Sequence, residues 1–193
     1  MGTSFRRTWY IHLKSKEKLD MDYKIFRAIN QLAGRYSSFD TLMILISKKV
    51  RYVFIFILIV MWFRNGSQKK VTLYAVISVA FTLFIHTLMK CFYFKPRPFM
   101  KLRAGILIPS KMDSSFLSKH TLLTFAVSTS IFLHKRILGS VMLGLSLLTG
   151  FSRIWVGHHY PSDIVRSAFT GSLTSIIVDK AVCLLKRMNQ KIK

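Results

Sequence analysis

The chain alternates between long apolar stretches and short basic ones, and the lengths of the apolar stretches set the first expectation. Residues 71–89 run without a single charge, enough for one helix across the hydrocarbon core of a bilayer. Residues 120–134, 137–151 and 164–185 are three more such stretches, the last interrupted by Arg166 and by Asp179 and Lys180. Residues 52–63 are apolar between Lys48, Lys49 and Arg51 on one side and Arg64 on the other. That segment is short for a full crossing, so the amphipathic turns before it are expected to extend it. Upstream, Ile25, Ile29 and Leu32, then Phe39, Leu42, Met43 and Ile46, recur at helical spacing among polar residues, the pattern of interfacial helices. The pattern predicts an all-α integral membrane bundle of five transmembrane helices, six if an N-terminal helix also inserts.

Composition agrees and narrows the class. Of 193 residues 51% are hydrophobic, with 16 Phe and 9 Met, and mean hydropathy is +0.36; an ordinary soluble domain of this length is less apolar. The formal charge of +23 comes from 30 Lys and Arg against 7 Asp and Glu. Such a balance fits a nucleic-acid binder on charge alone, but the long uncharged run 71–89 excludes that class and leaves a membrane protein with basic loops. Arg64, Lys69 and Lys70, then Lys135 and Arg136, then Lys186, Arg187, Lys191 and Lys193 fall on one side, which is expected to be cytoplasmic. The loop 90–119 and the stretch 152–163 then lie together on the outer face. Two features oppose this assignment: loop 90–119 is itself basic, and five spans place the basic N-terminus outside as well. A basic outer loop is what an anionic substrate would require; the side of the N-terminus is left open. Cys91 and Cys183 lie far apart and read as two unpaired thiols. Residues 1–20 lack the apolar core of a signal peptide and read as a basic tail. Lys16-Glu17, if encoded AAG-GAG, resembles a ribosome-binding site just upstream of Met21, so the favoured reading starts translation at Met21; the alternative is a tail that binds anionic headgroups. Residues 21–193 form one domain, without internal repeats or linkers.

The stretch with the densest chemistry is 152–163, SRIWVGHHYPSD. Ionisable groups at the mouth of apolar segments are costly unless they serve a function. Pro161 suits the first position of a helix, and Asp163 then stands one turn beyond His159, close enough for its carboxylate to hold the imidazole. With Arg153 nearby, His159 is a candidate nucleophile or base acting on an anion. In KCFYFKPRP, Lys90 and Arg97 stand seven apart at the end of a span. They share one face if the helix persists, and could grip phosphate oxygens; snorkelling cations at a helix end are the bland explanation. In SSFLSKHTLL, Ser118 is a good N-cap, and the backbone N–H groups after it make an anion-binding helix start. His120 in that first turn could protonate a leaving oxygen. Alone, that segment is an ordinary capped helix.

Together these three sets resemble the type 2 phosphatidic acid phosphatase superfamily, whose signature is K-x6-RP, then PSGH, then SR-x5-H-x3-D. Lys90 to Pro98 matches the first fully, and Ser152, Arg153, His159 and Asp163 match the third. The second survives as Ser118 and His120, with Leu117 in place of proline and Lys119 in place of glycine. MDYKIFRAINQL, FKPRPF and LLTGFSRIWVGHHYPSD look closer still to the bacterial undecaprenyl-pyrophosphate phosphatases associated with bacitracin resistance. The resemblance implies removal of the terminal phosphate of a long isoprenoid lipid pyrophosphate at the outer leaflet, without metal or cofactor. It implies that His159 attacks the distal phosphorus and Asp163 orients its ring. Lys90, Arg97, Arg153 and the backbone at Ser118 would hold the phosphate oxygens, and His120 would protonate the departing lipid phosphate. A zinc site built from His120, His158, His159 and Asp163 is a much weaker alternative. His158 carries no role in the resemblance, and His86 reads as a packed histidine inside a span.

The departure at 117–119 is where the resemblance is weakest. Leu117 lacks proline's fixed backbone angle, and Lys119 adds a cation beside His120, expected to weaken it as an acid. Two alternatives therefore stand beside the isoprenoid substrate: a phosphatase for phosphatidylglycerophosphate or phosphatidate, and a catalytically impaired protein that binds lipid phosphates. Oligomeric state is not encoded in any of these patterns.

Overall fold

The computed structural model describes residues 21–64, 66–93, 95, 97–98, 107–108 and 115–191. The tail 1–20 and most of loop 99–114 lie outside the described residues. Among the described residues six helices follow in order: α1 (21–30), α2 (Ser37–Phe63), α3 (Gly66–Phe92), α4 (Lys119–His134), α5 (Arg136–Trp155) and α6 (Pro161–Lys191). The all-helical expectation holds, and the apolar stretch 52–63 is the second half of a 27-residue helix that absorbs the amphipathic turns before it.

Single-residue or very short connections join α2 to α3 and α4 to α5, which forces antiparallel neighbours. The chain therefore returns to the same end of the bundle after α3 and after α5. Lys95, Arg97, Ile108 and Ser115 meet residues 156–160 there, joined by α1 and the start of α2. Arg64, Lys135 and the C-terminal part of α6 occupy the other end.

Helix α4 is the central element and packs most extensively on α6, α5 and α3. Eight consecutive residues, Thr124 to Ile131, are buried, so this helix has no solvent or lipid face over two turns. Its polar side chains are satisfied internally, as burial demands. Ser128 Oγ donates to Thr124 O at 2.7 Å and meets Ser146 Oγ of α5 at 3.0 Å. Thr129 donates to Ser172 of α6, and Ser175 of α6 donates to Ala126 O. Small residues permit this closeness: a Cβ on Gly171 would stand 2.3 Å from Leu122 O.

Among the described residues three helices, Gly66–Phe92, Arg136–Trp155 and Pro161–Gln190, are long and apolar enough to cross a membrane. The five stretches read from sequence divide for physical reasons. Helix α2 carries Lys48, Lys49 and Arg51 in its middle. Helix α4 has 16 residues, about 24 Å, short of the roughly 30 Å core, but it is wrapped by its neighbours. The bundle's outer surface is strongly apolar, with Phe56, Phe81, Phe84, Ile137, Val165 and Phe169 exposed, as a lipid-facing surface requires. Arg166 and Asp179, which interrupt the last apolar stretch, are both engaged. Arg166 lies over the Phe116 ring, and Asp179 accepts from or pairs with His134 Nε2 at 2.7 Å.

Candidate active site

The end of α5 determines where the histidines point. Arg153, Ile154 and Trp155 close the helix, and Gly157 follows at φ +83°. Gly157 N–H donates to Ile154 O and His158 N–H to Arg153 O, both at 3.0 Å, the paired bonds of a Schellman stop, for which glycine carries no Cβ penalty. His159 N–H also reaches Arg153 O, at 3.3 Å. The turn brings His158, His159 and Tyr160 back under the bundle end, all buried. Pro161 opens α6 and places Asp163 in its first turn, fully buried.

Asp163 does not meet His159 directly, contrary to the expectation of a carboxylate on the imidazole. Ser115 stands between them: its Oγ donates to Asp163 Oδ2 at 2.7 Å and lies 3.3 Å from His159 Nδ1. Ser115 is held there by its own N–H, which donates to Lys95 O at 2.7 Å. Asp163 Oδ2 also accepts the Tyr160 N–H at 3.1 Å, and Oδ1 pairs with Lys95 Nζ at 2.7 Å. Since the Ser115 hydroxyl proton is spent on a carboxylate, Ser115 Oγ can only accept from His159. Ser115 O, 3.3 Å from the same Nδ1, is likewise an acceptor. The network therefore assigns the proton to Nδ1 and leaves Nε2 with its lone pair. Burial, and then the charges of Arg153 and Arg97, push the His159 pKa well below the ordinary imidazole value, so the ring is neutral at physiological pH.

The expected phosphate-binding residues fall into two groups. Arg97 and Arg153 are buried with His159, and Arg153 Nη1 donates to Ser47 of α2 at 2.8 Å. Lys90 is exposed in the last turn of α3. The shared helical face expected for Lys90 and Arg97 is not formed, because α3 ends at Phe92; the residue before a proline disfavours helix, and Pro96 and Pro98 follow at once. His120 is half-buried in the first turn of α4, where Arg153, Arg51, His158 and Lys119 all act on it electrostatically. Lys119 itself is exposed. Ser118 is the residue preceding α4, as expected, but makes no side-chain cap, and its N–H donates to Ser167 Oγ at 2.7 Å. That donor is thus engaged within the protein. The N–H groups that follow it lack intrahelical partners by helix geometry. Leu117 is buried, so the position read as proline in the resemblance serves packing here.

Sequence reasoning missed three residues. Ser115 carries no motif; the backbone bond to Lys95 and its hydroxyl's bond to Asp163 place it. Lys95 lies inside the K-x6-RP segment and reads there as generic loop charge. Asp22 of α1 accepts from Ser162 N–H at 2.9 Å and Ser162 Oγ at 2.6 Å, and from Lys95 at 3.3 Å. Its signal was scarcity, as one of only seven acids. His158, left without a role, bonds Ile108 O through Nε2 at 2.8 Å and ties that residue to the α5–α6 turn. Among the described residues no group of three His, Cys, Asp or Glu comes together as a metal site.

A buried neutral imidazole with a free Nε2, two buried guanidiniums and a second histidine at a helix start can carry out nucleophilic attack on a phosphoryl group. Comparison with known proteins points the same way. The chain is 40% identical over 148 residues, covering 76% of it and 77% of the relative, to undecaprenyl-diphosphatase BcrC of Bacillus subtilis strain 168. Its fold matches the crystal structure of Aquifex aeolicus LpxE with TM-score 0.71 at 25% identity, covering 82% of this chain and 94% of that one. The crystal structure of a transmembrane PAP2-type phosphatidylglycerolphosphate phosphatase from Bacillus subtilis superposes with TM-score 0.67 at 17% identity over 92% and 88% of the two chains, a likeness of fold. Residues 71–183 match the model of the PAP2 superfamily, and the chain belongs to that superfamily.

Proposed function

We propose that this protein hydrolyses undecaprenyl pyrophosphate to undecaprenyl phosphate and inorganic phosphate at the outer face of the cytoplasmic membrane. In doing so it recycles the lipid carrier of peptidoglycan synthesis and confers tolerance to bacitracin. The observation that carries the reading is His159, buried, neutral and protonated on Nδ1, beside Arg97 and Arg153. Similarity to the Bacillus undecaprenyl-diphosphatase over three quarters of both chains supports the substrate.

His159 Nε2 attacks the distal phosphorus in line with the bridging oxygen, forming an N–P bond as the P–O bridge breaks. Arg97 and Arg153 neutralise the equatorial oxygens as charge spreads over them, with Lys90 at the rim. The lipid phosphate departs with a proton from His120, whose imidazolium forms when the negative charge of the bound substrate lies beside it. Water then attacks the phosphohistidine, passing a proton to His120 as the N–P bond breaks, which releases inorganic phosphate and restores both Nε2 and the acid. The positive charge that His159 gains on phosphorylation is balanced by Asp163 through Ser115. No metal or cofactor takes part in this scheme.

The test is phosphate release by purified protein in detergent with EDTA. Undecaprenyl pyrophosphate and phosphatidylglycerophosphate are compared in parallel, with His159→Ala as control. Release from the isoprenoid, abolished in the variant, is the expected result. Preference for the glycerolipid would move the protein to phospholipid synthesis, and no release from either would leave a lipid-phosphate-binding protein.

A further inference from the structure

We propose that Lys95, held by Asp22 from α1, is a positioning residue that aims the Asp163 carboxylate at Ser115 and through it sets His159. In a site built to receive phosphate, a lysine is first read as a ligand of the substrate, and the geometry argues otherwise. A lysine ammonium has three protons to donate. Among the described residues three oxygen acceptors surround Lys95 Nζ: Asp163 Oδ1 at 2.7 Å, Ser162 Oγ at 3.2 Å and Asp22 Oδ2 at 3.3 Å. Its remaining side is covered by the Tyr160 ring, 4.4 Å from the ammonium to the centroid. The side chain is only 18% exposed. No donor is left to point at a phosphate.

The same contacts have a directional consequence. A carboxylate with both oxygens open can rotate among donors. Here Oδ1 is fixed by Lys95, with Arg166 at 3.7 Å as its other cation, so Oδ2 is left to Ser115 and the Tyr160 N–H. Lys95 also supplies the carbonyl that holds the Ser115 backbone. One residue therefore places both the carboxylate and the hydroxyl of the relay. Asp22 closes the chain from the far side: it engages Ser162 twice at the start of α6 and draws Lys95 into register. This makes α1, which lies outside the matched family region 71–183, part of the active-site frame.

The inference rests on the reading of His159 as nucleophile, and the experiment separates the two. Steady-state hydrolysis of undecaprenyl pyrophosphate is measured for wild type, His159→Ala, Lys95→Met, Ser115→Ala, Asp22→Asn and the Lys95→Met/Ser115→Ala double variant. Lys95→Met is expected to lower kcat on the order of 10- to 100-fold, the range known for outer-shell partners of metal-binding histidines, with KM within about threefold of wild type. Its effect is expected to shrink in the Ser115→Ala background, since the two act through one relay. Asp22→Asn keeps the lysine and is expected to lower kcat severalfold with KM unchanged, which tests the frame if Lys95→Met does not fold. A rise in KM with kcat intact would make Lys95 a substrate ligand and overturn the inference, as would additive losses in the double variant. Activity surviving in His159→Ala would overturn the nucleophile reading itself. An inactive His159→Ala beside wild-type Lys95→Met and Asp22→Asn would overturn the positioning role alone.

Discussion

At the residue scale, the site is a set of charges whose costs are met by neighbours. Burying His159 neutral has a thermodynamic consequence with a definite sign. Its folded pKa lies well below the ordinary value, so below about pH 6.5 the unfolded chain takes up a proton that the folded chain refuses. Stability is therefore lost as pH falls below 6.5, by up to about 1.4 kcal/mol per pH unit from this group, and is unaffected by it above that. Thermal unfolding in detergent is expected to show a midpoint that declines between pH 6.5 and 5, and a shallower decline in His159→Asn; equal slopes would contradict a buried neutral ring. How far these residues could be read from sequence depended on whether spacing along the chain carried their role. Arg153, His159 and Asp163 lie within eleven residues, so helix and turn geometry alone bring them together. Ser115 and Lys95 are joined by a backbone bond across twenty positions of sequence, and Asp22 reaches Ser162 across 140. No local period encodes such contacts, and the direct Asp163–His159 bond expected from one helical turn gave way to the Ser115 bridge for that reason.

At the element scale, most helices were readable because lipid and core impose one rule on both: long uncharged runs become helices with internally satisfied backbones. The ends of those helices were less readable. Helix α3 stops at Phe92 rather than carrying Lys90 and Arg97 on one face, and α2 extends back to Ser37. The most consequential end is that of α5, where Gly157 at φ +83° reverses the chain and delivers His159. A non-glycine residue there costs about 1 to 2 kcal/mol, and relief of that strain would shift the histidine. Gly157→Ala is expected to lower the unfolding midpoint by a few degrees and kcat by at least about tenfold, since small misplacements at a reacting atom are costly. Gly157→Asn, which tolerates the left-handed region, is expected to retain more of both. An alanine variant equal to wild type in phosphate release would show that the turn does not position the nucleophile.

At the scale of the whole molecule, the distribution of charge bears on which way the bundle faces. The basic loop 90–119 opposes an outward site if all its lysines and arginines count as loop charge. They do not count equally: Arg97 is buried against His159, and Lys95 is enclosed by two carboxylates. The positive-inside bias is a property of exposed flanking residues, so part of the conflict disappears. Arg64, Lys69, Lys135 and Arg136 at the other end are all exposed. The two native cysteines report on the remainder. Cys91 is exposed in the last turn of α3, at the site end. Cys183 is exposed 22 residues along α6 from Pro161, about 33 Å away and so beyond the roughly 30 Å hydrocarbon core. With Cys183→Ser and Cys91→Ser as single-thiol proteins, a membrane-impermeant maleimide applied to intact cells is expected to label Cys91 alone, and Cys183 only after permeabilisation. The reverse pattern would put the phosphate site on the cytoplasmic face. The hydrolytic chemistry would stand, but a protein so oriented would meet the isoprenoid pyrophosphate before its use at the outer surface, and the outward reading would fall.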